Sequence, residues 1–393
     1  MIKSLVIKNF KAIKHLEIIF TPFTVLIGGN SSGKSTVLQA LDFIRAFAVR
    51  DIDEYLLERG WQFDDLKSQF TDEEITLSVG LRLNICGILQ DIDWTISADY
   101  KAGQLSTKEI ILNLSKDEII LSRGADQPTT PEYIERLFFK SSYLKLIDEN
   151  NPSSEFHEEL YAVKKFFAQS SSFELLSPDR MREKSYRREA KDIGLGGERL
   201  AAFIDGMPGA HKSKLNKKLS EFVGYSAKTT TETKLPGMVD LFINESFSTS
   251  ETKIKAAHIS DGLLRLLGLI VASLPNVAVY ISNSGFILLD EIEDGINPYL
   301  TEKVIDMLRT VVSEYDKQII LTTHSPVMLN HFEQNEIIFM WRDDKGNIHA
   351  KPMFTTEEMK DTLDCFNPGE VWLNFSKDEI LELLNHTHTE GSK

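Results

Sequence analysis

Residues 28 to 36 read Gly28-Gly29-Asn30-Ser31-Ser32-Gly33-Lys34-Ser35-Thr36, the pattern G-x-x-x-x-G-K-[ST]. An apolar run, Phe23 to Ile27, precedes it, and Val37, Leu38, Ala40, Leu41 and Ile44 follow at helical spacing. That order predicts a strand, a glycine loop and a helix over Lys34 to Val49, the opening of an α/β fold. Such a loop curls backbone N–H groups around phosphate oxygens, and the helix start adds its positive dipole end. Gly28, Asn30, Ser31, Ser32, Gly33, Lys34, Ser35 and Thr36 are therefore candidate phosphate-binding residues. Lys34 would neutralise β- and γ-phosphates, and Ser35 would offer its hydroxyl to Mg²⁺.

A phosphate loop alone names no chemistry, so the other parts of a nucleotide site matter. Phe286-Ile287-Leu288-Leu289-Asp290-Glu291 is an apolar run ending in two acids, as a strand buried in a parallel sheet would. Asp290 would then sit at a strand's carboxyl end and hold Mg²⁺ through water, and Glu291 would orient or deprotonate the attacking water. Leu321-Thr322-Thr323-His324-Ser325-Pro326 reads as the next strand, ending in a histidine placed to reach the γ-phosphate or that water. Ser260-Asp261-Gly262 opens a helix, with Ser260 or Asp261 as its cap and Gly262 permitting close phosphate approach.

Between these motifs the chain changes character. Residues 75–79, 88–96, 110–114 and 119–121 carry β-type patterns, which predicts antiparallel hairpins. Glu132 to Gln169 reads as helical around a turn at Asn151-Pro152, Ser170 to Gly206 as loop, and Ala210 to Val223 as an amphipathic helix. Strand character returns at Val239, and from residue 258 to 335 helix and strand alternate, implying parallel strands with crossover helices. Asp343 to Gly346 reads as a hairpin turn, a short helix follows, and His386 to Lys393 reads as a frayed tail. The expected division is an N-terminal part over 1–73 with the glycine loop, a central α+β lobe over 74–250 and a C-terminal part over 251–393 that completes the first.

The formal net charge of -15 disfavours a surface coated in nucleic acid. Two basic stretches break the acidic background: Arg180, Arg182, Lys184, Arg187, Arg188 and Lys191, then Lys212, Lys214, Lys217 and Lys218. Each fits a solvated helix face or a phosphate-backbone contact. No apolar run nears the roughly 18 residues of a spanning helix, and the first residues lack a signal peptide's apolar core. A cytoplasmic protein without membrane contact is the expectation, with Cys86 and Cys365 as structural thiols.

Taken in order, these motifs resemble the ABC-type ATPase heads of the RecF/SMC group, and more narrowly the AAA_15/AAA_21 ATPases related to OLD proteins. Leu5 to Lys11 is similar to that group's first strand, Gly28 to Thr36 to its Walker A motif, and Ile259 to Arg265 to its signature motif. Asp290 and Glu291 resemble Walker B, Glu293 to Pro298 the D-loop, and His324 the switch histidine. The resemblance implies a P-loop ATPase head of mixed and parallel sheets with an inserted α+β lobe. It also implies ATP and Mg²⁺ as ligands, with Lys34, Glu291 and His324 as the catalytic set. ATP would be sandwiched between two heads, Ser260, Asp261 and Gly262 acting in trans, so the chain would be a homodimer or a higher oligomer. Gln62 or Gln69 would serve as the glutamine loop. The heptads of an SMC coiled coil are missing, and too few residues follow His324 for a Toprim nuclease.

The leading expectation is therefore an ATP-hydrolysing dimeric switch. By resemblance, it would be the ATPase of a bacterial anti-phage defence system controlling a separately encoded nuclease or toxin. A RecF-like DNA repair or maintenance ATPase, with DNA as partner, is the alternative. A scaffold that holds ATP with little turnover belongs to another class, and Glu291 and His324 argue against it.

Overall fold

The computed structural model describes residues 1–101, 104–124, 129, 141–149, 155–174, 176–189, 192–274 and 284–385. β1 (Ile2–Phe10) and β2 (Ile13–Ile19) form the opening hairpin, with Lys11 at φ 51° in its turn. β3 (Phe23–Ile27) is buried along its length. α1 (Lys34–Val49) leaves the glycine loop directly, and no side chain caps it. α2 (Ile52–Arg59) starts on Asp51, whose carboxylate accepts the Asp53 N–H, and stops at Gly60. β4 (Ile75–Ile85), β5 (Ile88–Lys101), β6 (Gln104–Asn113) and β7 (Glu118–Arg123) then pair as successive hairpins. β4 also pairs with β1, so the first sheet runs β2-β1-β4-β5-β6-β7 and is antiparallel throughout.

α3 (His157–Ala168) leads into β8 (Ser171–Phe173), β9 (Ser185–Tyr186), α4 (Leu200–Gly206) and α5 (Gly209–Val223). β10 (Ser226–Leu235), β11 (Met238–Ser246) and β12 (Glu251–Lys255) form a second antiparallel sheet, joined by β9 against β11. α6 (Asp261–Ser273), β13 (Gly285–Leu289), α7 (Thr301–Tyr315) and β14 (Lys317–Thr322) supply the crossover part of the fold. β15 (Ile337–Arg342) and β16 (Ile348–Pro352) form a hairpin about the Asp343 turn, and short helices close the described chain.

The central sheet has the order β16-β15-β3-β14-β13-β8, and only β16 is antiparallel to its neighbour. Both faces of its inner strands are covered, so those strands are apolar on both sides. Leu26, Phe286, Leu288 and Ile320 face one core, shared with α1, α3 and the first sheet. Val25, Ile27, Ile287, Leu289 and Leu321 face the other, shared with α6, α7 and the second antiparallel sheet. Trp94 of β5 meets Phe167 of α3 edge-on at 5.3 Å, and Phe167 meets Phe286 of β13 at 6.0 Å, an aromatic path between the two large sheets.

β8 lies where the sequence reads as loop. Three residues, two of them serines, carry no pattern of their own; pairing with β13 makes them a strand. β10 likewise escapes a hydrophobic reading, because Lys228 to Thr233 is polar and its strand is set by its pairing with β11. Cys86 and Cys365 are exposed thiols rather than core residues. The helical reading over residues 132–140, the Asn151-Pro152 turn, Lys191 and the His386 to Lys393 tail lie outside the described residues.

A buried charge cluster ties the head together. Arg59 of α2 bonds Asp42 of α1 and, at 3.1 and 2.9 Å, both carboxylate oxygens of Glu174 just beyond β8. Asp42 also takes Arg45 at 2.7 Å. Burial opposes the Asp42 charge, yet the two guanidiniums hold its pKa below the usual carboxylate range. Burial, and then the nearby Asp42, push Glu174 up. Breaking such a buried pair from one side costs about 3–5 kcal/mol, because the other charge is left uncompensated. Urea unfolding of Arg59→Ala should show that loss as a lower midpoint with an unchanged slope.

Candidate functional site

The loop after β3 is shaped by what surrounds it. Gly28 has φ 155°, and a Cβ there would lie 2.2 Å from the Met340 carbonyl oxygen of β15. Gly33 has φ 94°, and its Cβ would meet Ile348 at 2.8 Å. Only glycine lets the loop lie this close to the β15–β16 hairpin. Lys34 folds back, its Nζ donating to the carbonyls of Gly28 and Gly29 at 3.0 and 3.1 Å. Burial lowers its pKa, while the charges of Asp290, Glu291 and Glu293 pull the other way. The first amide of the helix to find a backbone acceptor is that of Val37, on Gly33. Ser32 Oγ is buried with no partner. Uncapped amides, an orphaned hydroxyl and an ammonium bonded only to its own loop fit a polyphosphate.

Along the same edge, β3, β14 and β13 are in register, Val25 beside Leu321 and Leu321 beside Leu289. Asp290 and Glu291 leave β13 where Thr323 and His324 leave β14. Thr322 is buried between them. Its hydroxyl donates to Asp290 Oδ1 at 2.5 Å and accepts the Glu291 N–H at 2.9 Å. Glu291 is in the left-handed region at φ 46°, with its carboxylate half exposed. His324 Nε2 stands 3.8 Å from Glu291 Oε1, beyond a hydrogen bond but within reach of a shared water. The His324 backbone N–H donates to Glu293 Oε1, and Glu293 Oε2 is buried without a partner. The Asp290 carboxylate and the Ser35 hydroxyl are hard oxygen donors of the kind Mg²⁺ takes.

Ser260 and Asp261 lie exposed at the start of α6. Ser260 occupies the cap position, but its side chain makes no capping bond. Asp261 does not cap either; Arg182 donates to it and, at 2.9 Å, to the Ile259 carbonyl. A Cβ at Gly262 would fall 2.1 Å from the Gly295 carbonyl oxygen, so this glycine admits the 293–298 loop within its own chain. Arg265 of α6 pairs with Asp294 of that loop at 3.2 Å. Among the described residues, no hydrogen bond or ion pair joins Ser260, Asp261 or Gly262 to the Gly28 to Thr36 loop.

Gln62 and Gln69 are exposed, and among the described residues neither bonds Lys34, Ser35, Asp290 or Glu291. The segment at the acidic edge is the one leaving β8. With α6 and β13 it encloses a cleft of about 580 Å³ lined by Glu174, Ser177, Arg180, Asp261, Asp290 and Glu291. Thr322, Glu174 and Arg182 were not legible as site residues. Only the basic, proline-started Pro178 to Arg182 run gave a signal.

Residues 23–330 match the model of a family described as "AAA domain, putative AbiEii toxin, Type IV TA system". The chain belongs to this AAA_21 family. Membership makes it an ATP-binding domain of the P-loop class related to OLD proteins. Its fold matches that of an SmcHead bound to the C-winged helix domain of ScpA, at 16% identity and a TM-score of 0.50, over 89% of this chain and 96% of that one. The SMC head domain from Thermotoga maritima aligns at 14% identity and a TM-score of 0.47, over 89% and 98%. No curated protein matches the chain. The AAA_21 chain has an α/β head fold of mixed and parallel sheets like that of the SmcHead. No helix among the described residues is long and apolar enough to cross a membrane.

The Thr322 hydroxyl holds both the acid and the backbone of its neighbour. A hydrogen bond to a charged group is worth about 1.5–3 kcal/mol, so Thr322→Val should cut ATP turnover about ten- to a hundredfold. Thr322→Ser should restore most of it in a steady-state phosphate-release assay. Unaltered turnover in the valine variant would leave the hydroxyl without a role.

Proposed function

We propose that this AAA_21 chain is an ATP-hydrolysing switch that closes as a homodimer on ATP and opens after hydrolysis. One observation carries the reading. The phosphate loop, Asp290, Glu291 and His324 share one sheet edge, while the Ser260 to Gly262 loop stands exposed and unengaged with the loop of its own chain. A second copy would bring its Ser260 to Gly262 segment onto the γ-phosphate.

Lys34 would leave the Gly28 and Gly29 carbonyls for the β- and γ-phosphates, which replaces two neutral acceptors by charged ones. Ser35 and, through water, Asp290 would hold Mg²⁺, which supplies charge neutralisation at the same phosphates. Glu291 would take a proton from the attacking water, and His324 would hold that water or the γ-phosphate. The differential contact between the two states is the γ-phosphate, bound across the dimer only when closed. Carrying an equilibrium from 1:99 to 99:1 takes about 5.5 kcal/mol. Two sites with a few charge-assisted bonds each, at about 1.5–3 kcal/mol apiece, reach that scale.

In this reading residues 1–73 and 251–393 supply most of the head, the 74–250 stretch adds β8 and the strands paired to β1, and the rest of that stretch carries the surface for a partner. The partner in this reading is a separately encoded nuclease or toxin of a bacterial, cytoplasmic defence system; the toxin–antitoxin words of the family description support a toxin setting. The DNA-maintenance alternative is the weaker one. Arg187 is already engaged by Asp205 at 2.6 Å, and Lys184 faces Asp240 at 3.6 Å.

Glu291→Gln in Mg-ATP should run as a dimer on size exclusion, wild type should revert to monomer as ATP is consumed, and Lys34→Ala should stay monomeric. Loss of a general base typically costs about 10²–10⁴ in rate, so phosphate release by Glu291→Gln should fall by that order. A monomeric Glu291→Gln protein would refute the switch. Equal phosphate release by wild type and Lys34→Ala would leave only a scaffold.

A further inference from the structure

The loop expected to meet a second subunit's triphosphate carries a carboxylate, Asp261, two-thirds exposed at its tip. An acid brought against a γ-phosphate is repelled, and like charges juxtaposed in an interface cost several kcal/mol. The fold places an answer beside it. Arg182, only 22% exposed, lies in the segment that leaves β8 next to the acidic strand. It donates to the Asp261 carboxylate, to the Ile259 carbonyl at 2.9 Å and to Asp179 at 3.1 Å. One guanidinium therefore spans the approach to α6 and its first residue.

We propose that Arg182 is a positioning residue for the signature loop, neutralising Asp261 and fixing its direction so that the loop can close over a nucleoside triphosphate held by another copy of this chain. The inference rests on the dimeric-switch reading and deepens it. In the open monomer the pair faces water and contributes about 0–1 kcal/mol to stability. On closure, water leaves, the effective dielectric falls, and an Asp261 without its arginine would face the γ-phosphate as a bare charge. The role of Arg182 is thus small in folding and large in closure. Neighbouring contacts hold the rest of the loop: Gly262 against the Gly295 carbonyl, and Arg265 on Asp294 at 3.2 Å. Asp261 is the one member of the Ser260 to Gly262 loop whose charge has to be offset.

The test uses the full chain in the Glu291→Gln background, with Mg-ATP. Dimer dissociation constants come from sedimentation, and binding of a fluorescent ATP analogue to dilute monomer reports the chain's own phosphate loop. If a bare acid in the closed interface costs about 1.4 kcal/mol or more, Arg182→Ala weakens the ATP-driven dimer at least tenfold. Analogue binding to monomer and the melting temperature should stay at the parent's values. With Asp261→Asn as its own reference, adding Arg182→Ala should cost little, so the Arg182→Ala/Asp261→Asn double variant should regain most of the loss. A double variant as weak as Arg182→Ala would make Arg182 a mere strut and overturn the proposal. So would an Arg182→Ala dimer as tight as the parent's. A parent that never dimerises in Mg-ATP would instead sink the switch reading, and this inference with it.

Discussion

Three parallel strands locked in register fix everything else about the site. Val25, Leu321 and Leu289 stand side by side in β3, β14 and β13, each strand buried on both faces. Because the cores on both sides are close-packed, none of these strands can slide without exposing a full set of apolar side chains. The register therefore sets how far the glycine loop, the paired acids and the histidine project past the sheet. Thr322 sits at the last rung, and its hydroxyl converts strand register into the placement of Asp290 and Glu291. On the other flank, the Met340 carbonyl allows nothing larger than hydrogen at Gly28. The loop is held by backbone on one side and by its own lysine on the other.

From this edge, contacts reach the start of α6. Glu174, just past the edge strand β8, is anchored through Arg59 to α1, the helix that carries the phosphate loop at its start. Beyond it, the Pro178–Met181 turn leads to Arg182, which grips Asp261. On the far side of α6, Gly262 and Arg265 touch the loop that follows Glu291. The start of α6 is thus braced from two directions, one from the segment after β8 and one from the loop after β13. Interiors packed in this way move between discrete arrangements rather than deform smoothly. A change at Glu291 has a short mechanical route to the surface that the proposed switch would offer to another copy.

The sequence made the centre of this arrangement readable and left its braces obscure, for one physical reason. β3, α1, β13 and β14 are specified by their own apolar patterns, and the phosphate loop by its steric needs, so their neighbours are not required to recognise them. β8 and β10 become strands only by pairing with β13 and β11, and their serines and threonines announce nothing beforehand. The Arg182 and Asp261 pair joins positions 79 residues apart, and the Arg59 and Glu174 pair joins positions 115 apart. No periodicity encodes such contacts. Gln62 and Gln69, exposed near Trp61, carry no surrounding pattern, and the segment lining the acidic edge is the one that leaves β8.

Charge explains why the braces involve arginines. The chain as a whole is strongly acidic, at -15, and a triphosphate adds more negative charge wherever it binds. Two such chains meeting face to face would repel unless the meeting edge were neutral locally. Around the cleft, Glu174 is balanced by Arg59, Asp261 by Arg182 and Asp294 by Arg265, and Lys34 lies within the field of Asp290 and Glu291. Arg180, exposed on the cleft wall, adds a further cation. Arginines thus offset part of the negative charge at this edge, and in the proposed switch Lys34 and Arg180 would face an incoming triphosphate. Asp290 and Glu291 can therefore share this edge with a bound triphosphate, because Arg59, Arg182 and Arg265 offset carboxylates beside them.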